Sequence, residues 1–403
     1  MLQYDRAVSD NVLDHYCNPR NCGTLDMPST IGELVNPDRG IKVVFYLLIE
    51  NDIILDIKFQ TIGCNTLIAS ASILTQIVKS KAISEAGRIE PHDISAALDC
   101  VPNDKMYCCE LVVGALQIGI DSYKKEKRQK DLCHHPCFHK EAHFKYGRIH
   151  LPVSPECNIQ CRFCARDINK TEHRPGASRT ILTSAEAVDT VERTIKIFPQ
   201  LTVVGVAGPG DSLASEDALE TFDIIHTRFP NLINCMSTNG LLLEEYANRI
   251  IEVGVGTISV TVNAVDSVIL QRICSCIKYH GKLIFGLEAA NILIDAQLKG
   301  IRKMAALGAT IKINTVLIPG INEHHIEKIA KTVSSCGATI FNIMPLIPES
   351  EFKDMSAPTC TELNIARKSA SKYLEIFRHC QQCRADACGI PGLGEDISEY
   401  IYL

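Results

Sequence analysis

The sequence predicts two kinds of fold in one chain: an α+β domain first, then an α/β domain built on a parallel sheet. Two observations carry this prediction. A charge run, YKKEKRQKD at 123–131, separates two segments that each hold apolar runs long enough to form a core. Before the run, two strand-like stretches are followed by helices; after it, strand and helix alternate through six units.

In the first segment, Val8–Tyr16 has helical spacing of apolar residues. IKVVFYLLIE (41–50) and DIILDIKFQT (52–61) read as strands joined at Asn51-Asp52, a hairpin signal because both residue types tolerate positive φ. LIASASILTQIVKS (67–80) reads as a helix, and Met106–Tyr123 as another that ends in the basic run, as suits a helix C-terminus. The run itself reads as a solvated helix end and as the linker, which divides the chain into 1–125, a charged linker 126–134, and 135–403.

In the second segment, GRIHLPVS (147–154) reads as a strand. A helix over Ala185–Ile197 opens with Thr183 or Ser184 as N-cap and Glu186 in its first turn. Strands at 201–208, 232–237, 256–263, 309–318 and 338–347 then alternate with helices Glu216–Arg228, Leu243–Val253, Ile292–Leu307, His324–Ser335 and Thr361–Phe377. Strands that read as continuous apolar runs are covered on both faces, which means a parallel sheet. A doubly wound sheet and a partial barrel both fit this rhythm.

Composition narrows the function. The 403 residues are 46% hydrophobic and 22% charged, which excludes disorder. A net charge of −6 argues against nucleic acid as a partner, and no apolar run approaches the roughly 18–20 residues of a membrane span. The N-terminus, MLQYDRAVSDNVLDHYC, has no apolar signal core, so the expected compartment is the cytoplasm. Nineteen cysteines in a chain this long do not make a disulfide scaffold; kept reduced, they point to metal or redox chemistry.

The strongest motif is Cys157-Asn-Ile-Gln-Cys161-Arg-Phe-Cys164, after the first strand of the α/β segment. Three thiolates in one short loop can hold three irons of a four-iron cluster and leave the fourth iron open, as a catalytic metal site does. Structural zinc wants four ligands and fits this spacing poorly. The pattern resembles the radical S-adenosylmethionine (SAM) superfamily, whose fold is a partial (β/α)6 barrel. There the open iron chelates SAM, and one electron cleaves it to a 5′-deoxyadenosyl radical. By that resemblance Cys157, Cys161 and Cys164 are the catalytic cluster ligands. Phe163 lies near the adenine. Gly208, Pro209, Gly210 and Asp211 of VVGVAGPGDSLA, Ser237, Thr238 and Asn239 of MSTNG, and Asn263 complete the SAM pocket. The glycines would let backbone amides approach a ligand closely.

A narrower resemblance covers nearly all of 132–396. HPCFHKEAHFKYGRIHLPVSPECNIQC (135–161), HRPG (173–176), GVAGPGD (205–211), STNGL (237–241), KINTVLIPGIN (312–322), NIMPLIP (342–348) and RHCQQCRADACG (378–389) are similar, in order, to the nitrogenase-cofactor family NifB. The resemblance implies a radical SAM enzyme that converts two four-iron clusters into an eight-iron, carbide-containing precursor. It implies further cluster ligands: His135 or Cys137 with Cys380 and Cys383 for one substrate cluster, and Cys235 with Glu172 for the other. The sequence departs from the family where a cysteine should follow Cys164: ARDINKTEHRPG (165–176) has none, and Asn169 or Lys170 falls nearby. ICSCIKYHG (273–281) also departs, and Cys274 and Cys276 are read as incidental.

The front segment, over roughly 4–125, resembles the IscU and NifU N-terminal iron–sulfur scaffold family through NVLDHYCNPRNCGTL, FQTIGCNTLIASASILTQIVKSK and DKMYCCELVVGALQIGIDSY. Cys64 and Cys108 match scaffold cysteines and Cys109 is an added thiol, so the resemblance implies these three as the candidate cluster ligands of this segment, Cys108 and Cys109 together only if the helix starts there. Arg39 stands where the first cysteine falls, and Tyr107 where the family has histidine. The implied partners are a cysteine desulfurase and iron–sulfur donors, an electron donor such as ferredoxin, and a downstream nitrogenase cofactor carrier. Two alternatives stay open: a divergent radical SAM enzyme with another substrate, and a non-catalytic cluster carrier.

Overall fold

A computed structural model of the chain describes residues 9–402. The chain divides into two compact units, Met1–Gln129 and Lys130–Leu403. The start of the first helix expected from the sequence, Val8, lies outside the described residues.

In the first unit, α1 (Asp10–Cys17) is capped by Ser9 and precedes a three-stranded antiparallel sheet of β1 (Thr30–Asn36), β2 (Ile41–Glu50) and β3 (Ile53–Ile62). Asn51 and Asp52 turn the β2–β3 hairpin with φ of 50° and 61°, the conformation expected of those residues. Strand β1 escapes the sequence reading because its pattern is inverted. Ile31 and Val35 face solvent while Thr30 and Gly32 face inward, where a Cβ on Gly32 would run into Ala115 O. Helices α2 (Asn65–Val78), α3 (Ile83–Ala86), α4 (Pro91–Ala97) and α5 (Met106–Cys133) follow. Phe45, Leu47, Ile57, Leu67, Leu74 and Leu116 are buried in one core between sheet and helices. The charge run of 123–131 is helical, within the end of α5, and the division between the units falls there.

The second unit opens with β4 (Gly147–His150), β5 (Ile159–Cys161), β6 (Asp167–Ile168) and β7 (Ala177–Ser178). Then come α6 (Ser184–Ile197), β8 (Leu201–Val206), α7 (Asp217–Arg228), β9 (Ile233–Thr238), α8 (Leu243–Glu252) and β10 (Val255–Thr261). The chain continues through α9 (Ser267–Ile273), β11 (Cys274–Tyr279), β12 (Lys282–Phe285), α10 (Gly286–Ala306), β13 (Thr310–Leu317), α11 (Ile326–Ser335) and β14 (Ile340–Pro345). It closes with α12 (Cys360–Ala370), β15 (Glu375–Ile376), β16 (Cys388–Gly389) and α13 (Ser398–Ile401).

Strands β4, β8, β9, β10, β13 and β14 pair in parallel in their order along the chain, with β15 beside β14 and β16 antiparallel to β4 at the edges. A sheet wound in one direction with no reversal of order is a partial barrel; a doubly wound sheet would reverse. The apolar runs that mark the strands bury Val204, Met236, Ile258, Ile313 and Phe341 completely. Thr183 caps α6 with Glu186 reaching back to its amide at 2.8 Å, a capping box. The hairpin β11–β12 was not legible: β11 leaves the barrel to pair with β5, setting Cys274 opposite Cys161. The helix expected over 361–377 ends at Ala370, because Glu375 and Ile376 join the sheet edge. Among the described residues no helix is long and apolar enough to cross a membrane.

Candidate active site and thiol groups

The second unit holds a cavity of about 320 Å³ within the barrel, lined by strand residues such as Val203, Cys235 and Lys312 and by the turns that follow the strands. Cys157, Cys161 and Cys164 line it, as do Phe163, Pro209, Gly210, Asp211, Ser237, Thr238, Asn239 and Asn263. Gly208 is not among the lining residues.

The glycine-rich segment acts differently from the sequence expectation. The amides of Gly210 and Asp211 donate to Ser154 O and Glu156 O, each at 2.7 Å, and so fasten the loop that leads into Cys157. A Cβ on Gly210 would run into Glu156 O, so the glycine is needed for this close approach of backbone to backbone. Asp211 is 3% exposed, and its carboxylate accepts from Asn239 N at 2.5 Å, Leu213 N at 3.0 Å and Thr238 Oγ1 at 3.1 Å. It thereby clamps the turn after β8 to the turn after β9. Burial raises its pKa above the ordinary 3.8 despite those donors. Asn239, held in this way, donates through Nδ2 to Asn158 Oδ1 at 2.6 Å and lies 3.8 Å from Cys157 Sγ. Burial pushes Cys157 up to about 12 and raises Cys164. Cys161 rises well above its ordinary value through its hydrogen bond with the Cys274 thiol and through burial.

A second group of sulfur and nitrogen lines the same cavity: His135, Cys137, Cys235, Cys380 and Cys383, which the sequence named, and His143 and His150, which it did not. The imidazoles differ in what they offer. Nδ1 of His143 meets Pro136 O at 2.9 Å and Nδ1 of His150 meets Arg384 O at 3.1 Å. A carbonyl only accepts, so both Nδ1 atoms carry the proton and both Nε2 atoms hold a lone pair. Nδ1 of His135 instead accepts from Cys137 N at 3.1 Å, which makes Nε2 the protonated nitrogen, buried and without a partner. Burial lowers His150 to about 4, so its ring is neutral at neutral pH. Burial likewise pushes Cys137 up to about 12 and raises Cys235. Cys383 Sγ accepts from Arg148 Nη2 at 3.3 Å. Cys380 is exposed and lies 3.9 Å from Met344 Sδ.

Glu172 is not brought into the cavity. Its carboxylate pairs with Arg174 at 2.6 Å and accepts from Asn169 Nδ2 at 3.0 Å, and its carbonyl accepts from Arg384. Arg384 also donates to Asn169 O at 2.7 Å, which ties this segment to the loop that carries Cys383. Cys274 lines the cavity and is buried beside Cys161; Cys388 is buried in the barrel core. The HPC segment was recognised in sequence, but His143 and His150 lie further along that same stretch. Their tautomers depend on carbonyls that only the fold supplies.

In the first unit, Cys64 Sγ and Cys108 Sγ are 3.6 Å apart, and Tyr107 Oη is 3.9 Å from Cys64 Sγ. Arg39 lies over the Tyr107 ring at 4.4 Å. The hydrogen bond from the Cys108 thiol lowers Cys64, at the N-terminus of α2, to about 5 and raises Cys108 in return. Cys109 turns into the core against Ser70 Oγ at 3.8 Å, the divergence expected of adjacent helical residues.

Comparison with known proteins gives two family matches: residues 7–130 to the NifU-like N terminal domain and residues 151–333 to the Radical SAM superfamily. The chain is 48% identical over 268 residues to the FeMo cofactor biosynthesis protein NifB of Methanocaldococcus infernus, which spans 66% of this chain and 88% of that protein. The Methanocaldococcus jannaschii protein of the same description is 46% identical over 258 residues, 64% of this chain and 86% of that one. The Klebsiella pneumoniae protein is 41% identical over 273 residues, 66% of this chain and 58% of its own length.

Proposed function

The chain belongs to the family of the FeMo cofactor biosynthesis protein NifB, and from that premise we propose that it joins two four-iron clusters into an eight-iron precursor with a central carbide. It is a radical SAM enzyme, a class that implies a four-iron cluster and SAM. The chain's residues suit that pair. Cys157, Cys161 and Cys164 all line one cavity, and three thiolates are what a four-iron cluster with one open iron would take from the protein. Burial raises the Cys157 and Cys164 thiols, and the hydrogen bond with Cys274 followed by burial raises Cys161, so bound iron would have to displace their protons. When bound, the cluster supplies the electron that cleaves SAM. Asp211 and Asn239 hold the two turns beside Cys157 in place, and Phe163, 6.5 Å from Phe352 between ring centres, offers an apolar wall for the adenine. Leu270, Ile273 and Leu293 give the cavity an apolar wall.

The observation that carries the substrate assignment is the second thiol group in the same cavity. Chemistry on a small organic molecule needs no further thiols, whereas iron–sulfur substrates need ligands. Cys137, Cys235, Cys380 and Cys383 would hold substrate iron. His150, with its free Nε2 lone pair, is better placed than His135 to donate nitrogen. One cluster has fewer thiolates than the family pattern, because Asn169 and Lys170 stand where a cysteine is expected and a protonated lysine offers no lone pair. That departure supports a second reading, a radical SAM enzyme with a different substrate. The first unit would supply clusters or sulfur, served in the cytoplasm by a cysteine desulfurase and an electron donor such as ferredoxin; a separate carrier would take the product.

Iron analysis and EPR on the full chain, purified without oxygen and reconstituted with iron and sulfide, separate the readings. A further four-iron signal besides the one that SAM perturbs supports the cluster-joining enzyme. The SAM-perturbed signal alone supports the alternative. Iron without any SAM turnover points to a carrier.

A further inference from the structure

Lys312 and Arg148 are buried cations, each 5% exposed, at the thiol-lined side of the cavity. The Lys312 ammonium donates to Cys137 O at 2.9 Å and lies 4.4 Å from the Phe138 ring centre and 5.4 Å from that of Phe377. Arg148 donates from Nη1 to Gly389 O at 2.7 Å and from Nη2 to Cys383 Sγ at 3.3 Å, while its Nε has no partner. Among the described residues no carboxylate pairs with either side chain. The other buried arginines of this unit are matched: Arg174 with Asp167 and Glu172, Arg384 with Asp386. A buried charge is costly unless an opposite charge compensates it. Two ring faces and two carbonyls supply partial charge only. Lys312 and Arg148 share Cys137 as a neighbour, together with the imidazoles of His143 and His150; Cys383 lies beside Arg148 and Cys235 near Lys312. Neutral thiols do not balance two cations. Thiolates bound to iron within an anionic cluster do.

We infer that Lys312 and Arg148 form a fixed cationic seat that selects an anionic, thiolate-ligated iron–sulfur cluster at Cys137 and Cys383. This rests on the assignment of those thiols to a substrate cluster and adds the means by which the site chooses its occupant. An uncharged ligand leaves both cations unbalanced and is disfavoured. The same fixed charges raise the reduction potential of the seated cluster, because net charge around a cluster sets its potential. Lys312 and Arg148 touch the groups that hold the cluster rather than the reacting atoms, so they are positioning and selecting residues.

The test uses the full chain, reconstituted without oxygen from ferrous iron and sulfide and carrying Cys64→Ser throughout so that the first unit adds no cluster signal, in four forms: the parent, Lys312→Met, Arg148→Met and Lys312→Arg. The readouts are iron per chain, the midpoint potential of the cluster signal that SAM does not perturb, and the rate at which EDTA strips it. Both methionine variants should move that midpoint to a more negative potential and lose the cluster to EDTA at least tenfold faster. Lys312→Arg, with the charge kept, should stay near the parent. Folded methionine variants with the parent's midpoint and loss rate overturn the cationic seat. Because Lys312→Met and Arg148→Met are independent, misfolding of one leaves the other to decide. A parent chain that itself carries only the SAM-perturbed cluster defeats the substrate assignment, and the seat with it, and is recognised before any variant is compared.

Discussion

Replacing Asp211 isolates the part of the site that depends on one side chain. Its carboxylate accepts from two backbone amides, Asn239 N at 2.5 Å and Leu213 N at 3.0 Å, and from the Thr238 hydroxyl. Asp211→Asn keeps the shape but turns one oxygen into a donor, so one of the two amides loses its acceptor. A buried amide without an acceptor costs about 1–3 kcal/mol. Removing the buried charge returns part of this, since burial already disfavours the ionised form. The net expectation is about 1–2 kcal/mol for Asp211→Asn and about 3–5 kcal/mol for Asp211→Ala, which orphans both amides and leaves a void. At about 2–4 °C per kcal/mol for a unit of this size, Asp211→Ala should melt about 6–20 °C lower than the parent. Thermal unfolding followed by circular dichroism reads the stability, and iron retained at the SAM cluster reads the effect on Cys157, which Asn239 approaches to 3.8 Å. An alanine variant within about 0.5 kcal/mol of the parent, the range of an ordinary surface substitution, would refute the clamp.

Three further outcomes follow from the same geometry. Cys161→Ala should abolish 5′-deoxyadenosine formation in dithionite-reduced protein; product at the parent level would remove the assignment of the SAM cluster. Gly210→Ala should push the Cys157 loop away from the turn after β8, since the new Cβ meets Glu156 O, and should lower SAM-cluster iron at least severalfold by elemental analysis. In the first unit, Cys64 should alkylate as a thiolate, with an iodoacetamide rate that climbs through about pH 5 and is flat by neutral pH; an ordinary thiol, at 9.0, would still be climbing there. The depressed value carries a sign for stability: the Cys64 contribution is full above 9.0 and is lost as the pH falls through about 5.

Much of this architecture was legible in the sequence. Buried parallel strands announce themselves as unbroken apolar runs, and the spacing of Cys157, Cys161 and Cys164 points to a cluster without help from the fold. What could not be read depends on neighbours brought from far along the chain. Strand β1 hides because Gly32 takes an inward position against α5 and Ile31 an outward one. Gly210 lines the cavity and also fastens the cysteine loop, a role not readable in the sequence because Ser154 and Glu156 meet this segment only in three dimensions. Glu172, expected as a ligand, lies outside the cavity beside Arg174, only two residues away. Lys312 and Arg148 gave no signal, since an unpaired buried cation is visible only once burial and partners are known.

The most direct test of the central claim is reconstitution. The anaerobic full chain, given iron, sulfide, SAM and a reductant, is combined with a nitrogenase that lacks its cofactor and the proteins that complete cofactor assembly, and substrate reduction is measured. The account predicts SAM-dependent activation that Cys161→Ala loses. Vigorous SAM cleavage with no activation would contradict it, and would assign the second thiol group to a different substrate.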